Sequence, residues 1–228
     1  MADSLGDRIK RYEAISRAKA TPRMPLMIRV DGKAFHTFTK GMERPFDVRL
    51  TNAMVCAARD TAKEMQGFKA AYVQSDEVTF LLTDYDEITT QGWFDYNLSK
   101  IISISASIMS VSFNKHLPTD KCPVFDSRAF SIPKEDVINA FLWRAQDWER
   151  NSLQMYARAF FSHKELHKKN RADMHEMLHS IGKNWATDLD CIHKNGTFIL
   201  KDEERLDSMS NVQANYQSIK DIIYPLIQ

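Results

Sequence analysis

Apolar residues recur at two spacings along the first 160 positions, and these spacings predict alternating strands and helices. Alternation predicts a β-hairpin over Ala70–Leu82, and strand-like runs cover Met24–Val30 and Val124–Ile132. Helical spacing predicts one helix over 47–65 and another over Gln91–His116. The resulting order, βαββαβ, is typical of ferredoxin-like and polymerase-palm domains. We therefore predict an α/β (α+β) fold with helices on one face of the sheet.

More helices are predicted on either side of this unit. Asp3 or Ser4 is a suitable cap for an N-terminal helix. The apolar face of that helix contains Leu5, Ile9, Tyr12 and Ile15. Pro133 opens a later helix that continues at least to Trp148.

The pattern changes after about residue 160. We predict a palm-like catalytic domain over residues 1–160 and a mainly helical extension over 161–228, packed on the same domain. Within the extension, a short helix is expected over Ala172–Ile181 and a strand over Gly196–Leu200. An amphipathic helix is expected over Leu206–Gln228.

The predicted topology brings two distant carboxylates together. Asp31 ends the first strand, and Asp76 follows the second strand 45 positions later. Because a right-handed crossover makes these two strands parallel, their carboxyl ends lie along one edge of the sheet. Carboxylates on a rigid edge are ligands suited to Mg²⁺ in phosphoryl transfer. Each motif alone is more often an ordinary turn, but their conjunction at one edge favours a metal site.

Composition and charge limit the classes of protein that remain possible. The 228 residues carry 43% hydrophobic and 27% charged side chains, which is ordinary for a globular protein. The net charge of +1 means that nucleic acid must be bound by local basic patches. Three isolated cysteines favour a reducing compartment over a structural zinc site. Without a signal-like segment or a run of about 18 apolar residues, we expect a cytoplasmic protein with no membrane partner.

Arg29 excludes one mechanism at the Asp31–Gly32 step. Nucleotidyltransferases of the ligase and capping type use Lys-x-Asp-Gly, in which the lysine becomes nucleotidylated. Arg29 takes the position of that lysine, and a guanidinium stays protonated. A covalent lysyl intermediate is therefore not expected here.

Four motifs in register carry a resemblance to a known family. They are Arg29–Phe38 (Arg-x-Asp-Gly-x-x-Phe-His-x-Phe), Ser75–Glu77 (Ser-Asp-Glu), Phe125–Arg128 (Phe-Asp-x-Arg) and Trp143–Asp147 (Trp-Arg-x-x-Asp). In this order and spacing the chain resembles the tRNA(His) guanylyltransferase family of 3′→5′ nucleotide polymerases, over roughly residues 5 to 200.

The resemblance implies a set of catalytic and nucleotide-binding residues. Asp31, Asp76 and Glu77 would be catalytic, and Asp31, the Gly32 carbonyl and Asp76 would bind two or more Mg²⁺ ions, with Glu77 a weaker candidate ligand. ATP or GTP would be the substrate or activator. The residues expected around this nucleotide are Arg29, Lys33, Ala34, Phe35, His36, Arg44, Ser75 and Lys100. Phe35 and His36 also fit a simple packing role, and Arg44 and Lys100 also fit solvated charges.

The expected partners are NTPs and tRNA, bound by an assembly of four identical subunits (a homotetramer). The residues expected to contact RNA are Arg128, Arg144, Arg150, Lys168, Lys169 and Arg171. For the last three, in the basic run of residues 164–171, a solvated helix face is an equally good interpretation.

One departure from the family pattern bears on the reaction. Eukaryotic members carry His-x-Asn-Asn-Leu-Tyr-Asn where this chain has Glu149–Met155, and only Asn151 and Leu153 match. This favours template-dependent repair of the tRNA 5′ end over addition of a fixed guanosine to tRNA(His). A palm-type nucleotidyl cyclase or signalling-nucleotide synthase, and a non-catalytic RNA-binding module, are the alternatives.

Overall fold

The computed structural model describes residues 4–203 and 205–228, which form a six-stranded sheet between layers of helices. The strands are β1 (Leu26–Gly32), β2 (Phe68–Gln74), β3 (Glu77–Leu82), β4 (Phe125–Ser131), β5 (Thr197–Asp202) and β6 (Arg205–Met209). Their spatial order is β4-β1-β3-β2-β5-β6. Each neighbouring pair is antiparallel.

Helices connect and cover these strands. The α-helices are α1 (Leu5–Ala14), α2 (Phe35–Phe38), α3 (Val48–Lys63), α4 (Leu98–His116), α5 (Val137–Arg158), α6 (His163–Leu166), α7 (Arg171–Ser180), α8 (Trp185–Asp188), α9 (Cys191–Asn195) and α10 (Tyr216–Ile223). Short 3₁₀ helices occur at Trp93–Tyr96, Lys134–Asp136 and Tyr224–Leu226.

The relation between β1 and β2 confirms the predicted βαββαβ topology. Both strands pair antiparallel with β3, which lies between them, so they run in the same direction. Their carboxyl ends meet at one edge, where the Gly32 amide donates a hydrogen bond to the Asp76 carbonyl at 3.0 Å. We call this edge the catalytic edge.

Both faces of the sheet are buried, each by a different pair of helices. The α3 and α4 helices pack on the face that carries Val30 and Phe80. The α5 and α10 helices pack on the face that carries Met27 and Leu81. The prediction of helices on one face therefore holds for the two helices inside the βαββαβ unit. The opposite face is covered as well, and β3 is therefore buried at all six positions, Glu77–Leu82.

The α4 helix begins later than predicted, and its buried face includes a polar residue. It starts at Leu98, after the 3₁₀ turn. Its buried positions are Ile101, Ser105, Met109 and Phe113, whereas Ile104 and Val111 are exposed. The apolar residues alone do not mark the buried face, because Ser105 is a core residue: its hydroxyl is hydrogen-bonded to the Ser127 hydroxyl of β4 at 2.8 Å.

The C-terminal region contains more strand than predicted. The expected strand over Gly196–Leu200 is confirmed as β5, which adds to the sheet beside β2. The expected helix over Leu206–Gln228 is wrong in its first part, because Leu206 pairs with Lys201 in the β5–β6 hairpin. Only α10 and the following 3₁₀ turn are helical.

The N-terminal helix is capped as predicted by Ser4, whose hydroxyl accepts the Asp7 amide. The alternative cap, Asp3, lies outside the described residues. None of the ten residues described for α1 is buried, and its apolar residues Leu5, Ile9 and Tyr12 face solvent. In the described parts of the chain, no helix is long and apolar enough to cross a membrane.

Candidate active site

The catalytic edge concentrates negative charge around Asp31. In the strand registers, Asp31 stands opposite Glu77 on one side and opposite Asp126 on the other. Burial, followed by the charges of Asp76, Glu77 and Asp126, raises the pKa of Asp31 to about 6. Arg128 offsets only part of this effect. A carboxyl group held in such surroundings is poised to accept a cation.

Asp76 occupies the turn between β2 and β3. Ser75, immediately before it, has a φ of 47°, a left-handed conformation that a non-glycine residue adopts at some cost. Burial is the main reason that the pKa of Asp76 is raised, and the Glu77 charge adds to it. The hydrogen bond from Ser75 acts in the opposite direction. The turn therefore holds a half-buried carboxylate against the end of β1.

Glu77 has a different environment, because its charge is already paired. Arg144 on α5 donates from Nε to Oε1 at 2.7 Å and from Nη2 to Oε2 at 2.9 Å. The two side chains are only 12% and 11% exposed. Gln74 donates to Oε1 at 3.0 Å, and Arg29 approaches Oε2 at 3.9 Å. The catalytic role of Glu77 remains a prediction, but both of its oxygens are engaged by protein cations or amides.

The residues at this edge fit a hard divalent cation that is completed by substrate. Among the described residues, no group of three or more His, Cys, Asp or Glu side chains could hold a metal ion. Mg²⁺, however, is commonly bound by one or two carboxylates together with substrate phosphates and water. Asp31 and Asp76 would supply the carboxylates, and such an ion would relieve the crowding of negative charge that, after burial, raises the pKa of Asp31.

Gly32 is required by packing inside the protein. A Cβ at this position would lie 2.2 Å from Cδ2 of Phe35. The Phe35 ring is 4% exposed and packs against Phe38, Phe113 and Phe125, with ring centroids 5.0–5.5 Å apart. Gly32 thus lets this aromatic cluster close beneath the end of β1. Because most of the Phe35 surface is buried in this cluster, its main role is packing.

Two cavities adjoin at the catalytic edge. One, of about 400 Å³, lies between the segment 35–55, β2 and α9, and has a mostly apolar wall; we call it the apolar chamber. The other, of about 390 Å³, lies between Asp31, Glu77 and Arg144; we call it the acidic chamber. The residues that line both are Gln74, Ser75, Asp76, Trp148, Met155 and Arg158. A ligand in one chamber can therefore reach into the other across the turn at Asp76.

The predicted nucleotide-binding residues divide into two groups in the structure. His36, Arg44 and Ser75 are exposed and line the apolar chamber, as does part of Phe35. Lys33, Ala34 and Arg29 do not line either chamber. Lys33 and Ala34 are exposed at the end of β1, and Ala34 has a φ of 55°. The guanidinium of Arg29 lies 5.6 Å from the Trp143 ring centroid.

Lys100 is far from this site, and the expectation that it lies near the same edge is wrong. Because β3 runs antiparallel to β1, the chain leaves β3 at the opposite end of the sheet, where Leu82 pairs with Leu26. The α4 helix begins there and returns over 19 residues, about 28 Å, to the catalytic edge.

Sequence reasoning missed Arg158, at the last turn of α5. This exposed side chain lines both chambers, and in the described part of the chain it has no carboxylate partner. Its position seven residues after Asn151, on the same face of α5, would have been the only signal, since no motif includes it.

The predicted RNA-binding arginines are mostly paired with carboxylates. Arg144 is buried against Glu77 and Asp147, so an RNA phosphate cannot easily reach it. Arg150 pairs with Asp147 at 2.7 Å, and Arg171 pairs with Glu149 at 2.5 Å. Arg128 pairs with Asp126 at 3.3 Å.

The lysines of the basic run remain solvated in the structure. Lys168 and Lys169 are exposed between α6 and α7.

Together, the β4-β1-β3-β2 sheet, the carboxylates at its edge and the adjoining chambers define a palm-type nucleotidyltransferase. Residues 6–133 match the model of the tRNAHis guanylyltransferase family, and the chain belongs to that family. The tRNA(His) guanylyltransferase of Schizosaccharomyces pombe is 35% identical over 162 residues, which cover 67% of this chain and 59% of that protein. The match thus spans less than two thirds of the yeast relative.

Two solved structures resemble the whole chain. One is a bacterial tRNA(His) guanylyltransferase-like protein in complex with ATP, with a TM-score of 0.94 and 39% identity, covering 99% of this chain and 100% of that one. The other is a bacterial tRNA(His) guanylyltransferase-like protein in complex with GTP, with a TM-score of 0.84, 35% identity and the same coverage.

Proposed function

We propose that this enzyme adds nucleotides to the 5′ end of tRNA in the 3′→5′ direction, directed by the opposing strand, and thereby repairs 5′-truncated tRNA. The observation that carries the proposal is the pair of adjoining chambers: the apolar chamber reaches Asp76, and the acidic chamber contains both Asp31 and Asp76. Such a pair of chambers suits a nucleoside triphosphate, with the base among apolar side chains and the phosphates at the carboxylates. Family membership and the ATP and GTP complexes of similar proteins support it.

The proposed reaction has two phosphoryl transfers. The 5′-monophosphate of the tRNA attacks the α-phosphorus of ATP or GTP and releases pyrophosphate. The 3′-hydroxyl of the incoming NTP then attacks the activated 5′ phosphate, loses its proton and releases the nucleoside monophosphate. Positioning and charge neutralisation account for most of the catalysis in such reactions.

The chain's own residues have distinct roles in this proposal. Asp31, Asp76 and the Gly32 carbonyl would hold Mg²⁺, which when bound lowers the pKa of an attacking hydroxyl and stabilises leaving oxygens. Arg158 and Arg44, exposed at the chambers, bind triphosphate oxygens. The exposed Lys168 and Lys169 contact the tRNA backbone without reading its sequence.

The departure at Glu149–Met155 supports templated addition. Glu149 in this segment is paired with Arg171, and Arg150 is paired with Asp147. Ion-paired side chains of this kind are poorly suited to selecting guanosine by hydrogen bonds to its base. Watson–Crick pairing with the 3′ half of the acceptor stem then selects the incoming nucleotide.

We expect the added nucleotide to follow the template. The substrate is a tRNA that lacks its first nucleotide and carries a 5′-monophosphate, with the opposing base changed through all four possibilities. Incubation with Mg²⁺ and labelled NTPs should give the complementary nucleotide in each case, on tRNAs of several identities. Addition of guanosine opposite every base, and only to tRNA(His), would contradict templated repair. Consumption of NTPs without tRNA would favour a cyclase or synthase.

We also expect the protein to form a homotetramer in the cytoplasm. The apolar residues Leu5, Ile9 and Tyr12 of α1 and Val111 of α4 are exposed to solvent, and contacts between subunits would bury such surface. Multi-angle light scattering at micromolar concentration should give about four times the 26.4 kDa chain mass. A monomeric mass under these conditions would refute the assembly.

A further inference from the structure

Three buried polar side chains line the apolar chamber, and each has one polar atom without a partner. They are Gln74 on β2, Trp148 on α5 and His193 on α9, and they are 5%, 4% and 8% exposed. Gln74 Oε1, Trp148 Nε1 and His193 Nε2 have no hydrogen-bond partner among the described residues. A buried polar atom without a partner costs free energy, so three around one cavity call for an explanation.

The orientation of the Gln74 amide is fixed by its neighbour. The amide nitrogen donates to Glu77 Oε1 at 3.0 Å, and an ionised carboxylate can only accept. Arg144 holds Glu77 in place from the other side. The carbonyl oxygen of Gln74 is therefore the free atom, and it is an acceptor.

Trp148 and His193 are fixed by packing. Phe46 lies between them: its ring stacks on His193, with centroids 4.7 Å and planes 9° apart, and meets Trp148 edge-on at 6.0 Å. The Ser152 hydroxyl donates to the His193 carbonyl at 2.6 Å and anchors that segment. The Trp148 indole N–H can only donate. Burial lowers the pKa of His193, so its ring is neutral at pH 7 and offers no cation to phosphate.

A fixed acceptor and a fixed donor are the two kinds of group that match a nucleobase edge. Adenine presents an amino donor beside a ring-nitrogen acceptor, and guanine presents a carbonyl acceptor beside an N–H donor. The chamber also offers apolar walls, including Leu50, Met54 and Val55, against which a flat ring can pack. Its volume of about 400 Å³ is within the range of small-molecule sites.

We propose that Gln74, Trp148 and His193 read the hydrogen-bonding edge of the purine base of a bound nucleoside triphosphate. This inference rests on the proposed function, which places the triphosphate at the catalytic edge. It assigns base recognition to residues outside the four sequence motifs. Two of them, Trp148 and His193, also lie beyond the segment 6–133 that matches the family model.

Conservative variants test each contact. Trp148→Phe and His193→Phe keep an aromatic ring in the stack and remove its nitrogens. Gln74→Met keeps the chain length and removes the amide, including the nitrogen that donates to Glu77. Isothermal titration should show the Kd for ATP rising about three- to tenfold in each variant, the effect of losing one buried hydrogen bond. The Kd for inorganic tripolyphosphate, which has no base, should not change.

Stability separates a binding role from a structural one. Because the Trp148 N–H has no protein partner, Trp148→Phe removes no hydrogen bond within the protein, so it should lose ATP affinity with no more loss of thermal stability than Trp93→Phe, which shrinks a buried side chain equally. Trp93→Phe is the matched control: Trp93 is buried at the far end of the sheet, before α4, and its replacement should leave the Kd for ATP unchanged.

The outcomes distinguish this inference from the proposed function. Unchanged ATP binding in both Trp148→Phe and His193→Phe overturns base reading, even if templated addition is intact. Weakened ATP binding in these variants supports base reading, even if the wild-type protein adds nothing to tRNA. A wild-type protein that binds neither ATP nor tripolyphosphate overturns both.

Discussion

Asp31→Asn and Asp76→Asn should each abolish nucleotide addition while leaving the protein folded. Both carboxylates lie at the catalytic edge beside the acidic chamber, where they would hold Mg²⁺. A metal ion supplies several kcal/mol of transition-state stabilisation, so the rate should fall on the order of 10³-fold or more. Single-turnover addition to 5′-truncated tRNA measures this loss.

The same variants should be at least as stable as the wild-type protein when Mg²⁺ is removed by EDTA. Burial and neighbouring carboxylates raise the pKa of Asp31 to about 6, so its ionised form opposes folding. That cost is absent below pH 4, grows as the pH rises to about 6, and is complete at pH 7. Asp31→Asn should therefore have a larger free energy of unfolding than the wild type at pH 7, and the difference should shrink toward pH 4.

Asp86→Asn is a suitable control for both measurements. Asp86 follows β3 at the far end of the sheet and pairs with Lys69 at 2.7 Å. Its replacement should leave the addition rate unchanged. If a folded Asp31→Asn or Asp76→Asn protein retained wild-type activity, the assignment of the metal-binding carboxylates would be refuted.

The position of the carboxylates was predictable because it follows from chain direction alone. Once β1 and β2 run in the same direction, Asp31 and Asp76 must share an edge, whatever the side chains around them do. The same reasoning would have placed Lys100 correctly had it been applied to β3. Since β3 runs the other way, the helix after it starts at the opposite edge.

Side-chain partnerships were not predictable from the sequence. Ser105 disrupts the apolar stripe of α4 because it is buried with a hydroxyl partner, and periodicity cannot detect such a pair. The sequence suggested Glu77 as a third ligand. Side chains alternate between the two faces along β3, however, and Glu77 lies on the face toward α5 and Arg144. His193 joins the apolar chamber from a five-residue helix with no motif of its own. These features depend on contacts between distant segments, which the pattern of one segment does not encode.

Removing one partner of the Glu77–Arg144 pair should cause the largest loss of stability. Arg144→Leu leaves the Glu77 carboxylate, in a side chain only 12% exposed, without its bidentate partner. An uncompensated buried charge costs about 3–5 kcal/mol, which corresponds to a fall in Tm of roughly 6–20 °C for a chain of this size. Urea denaturation followed by circular dichroism measures the free energy of unfolding.

Two further variants identify the cause of that loss. Arg150→Leu removes another arginine of α5, but Arg150 is 62% exposed in its pair with Asp147, so the cost should not exceed about 1 kcal/mol. Glu77→Gln combined with Arg144→Leu removes both charges, and should recover much of the stability lost in Arg144→Leu because no buried charge is then left unpaired. Should Arg144→Leu prove no more destabilising than Arg150→Leu, the pair would not hold α5 against the sheet. The orientation of the Gln74 amide, which depends on a Glu77 side chain held by Arg144, would then have to be fixed by another contact.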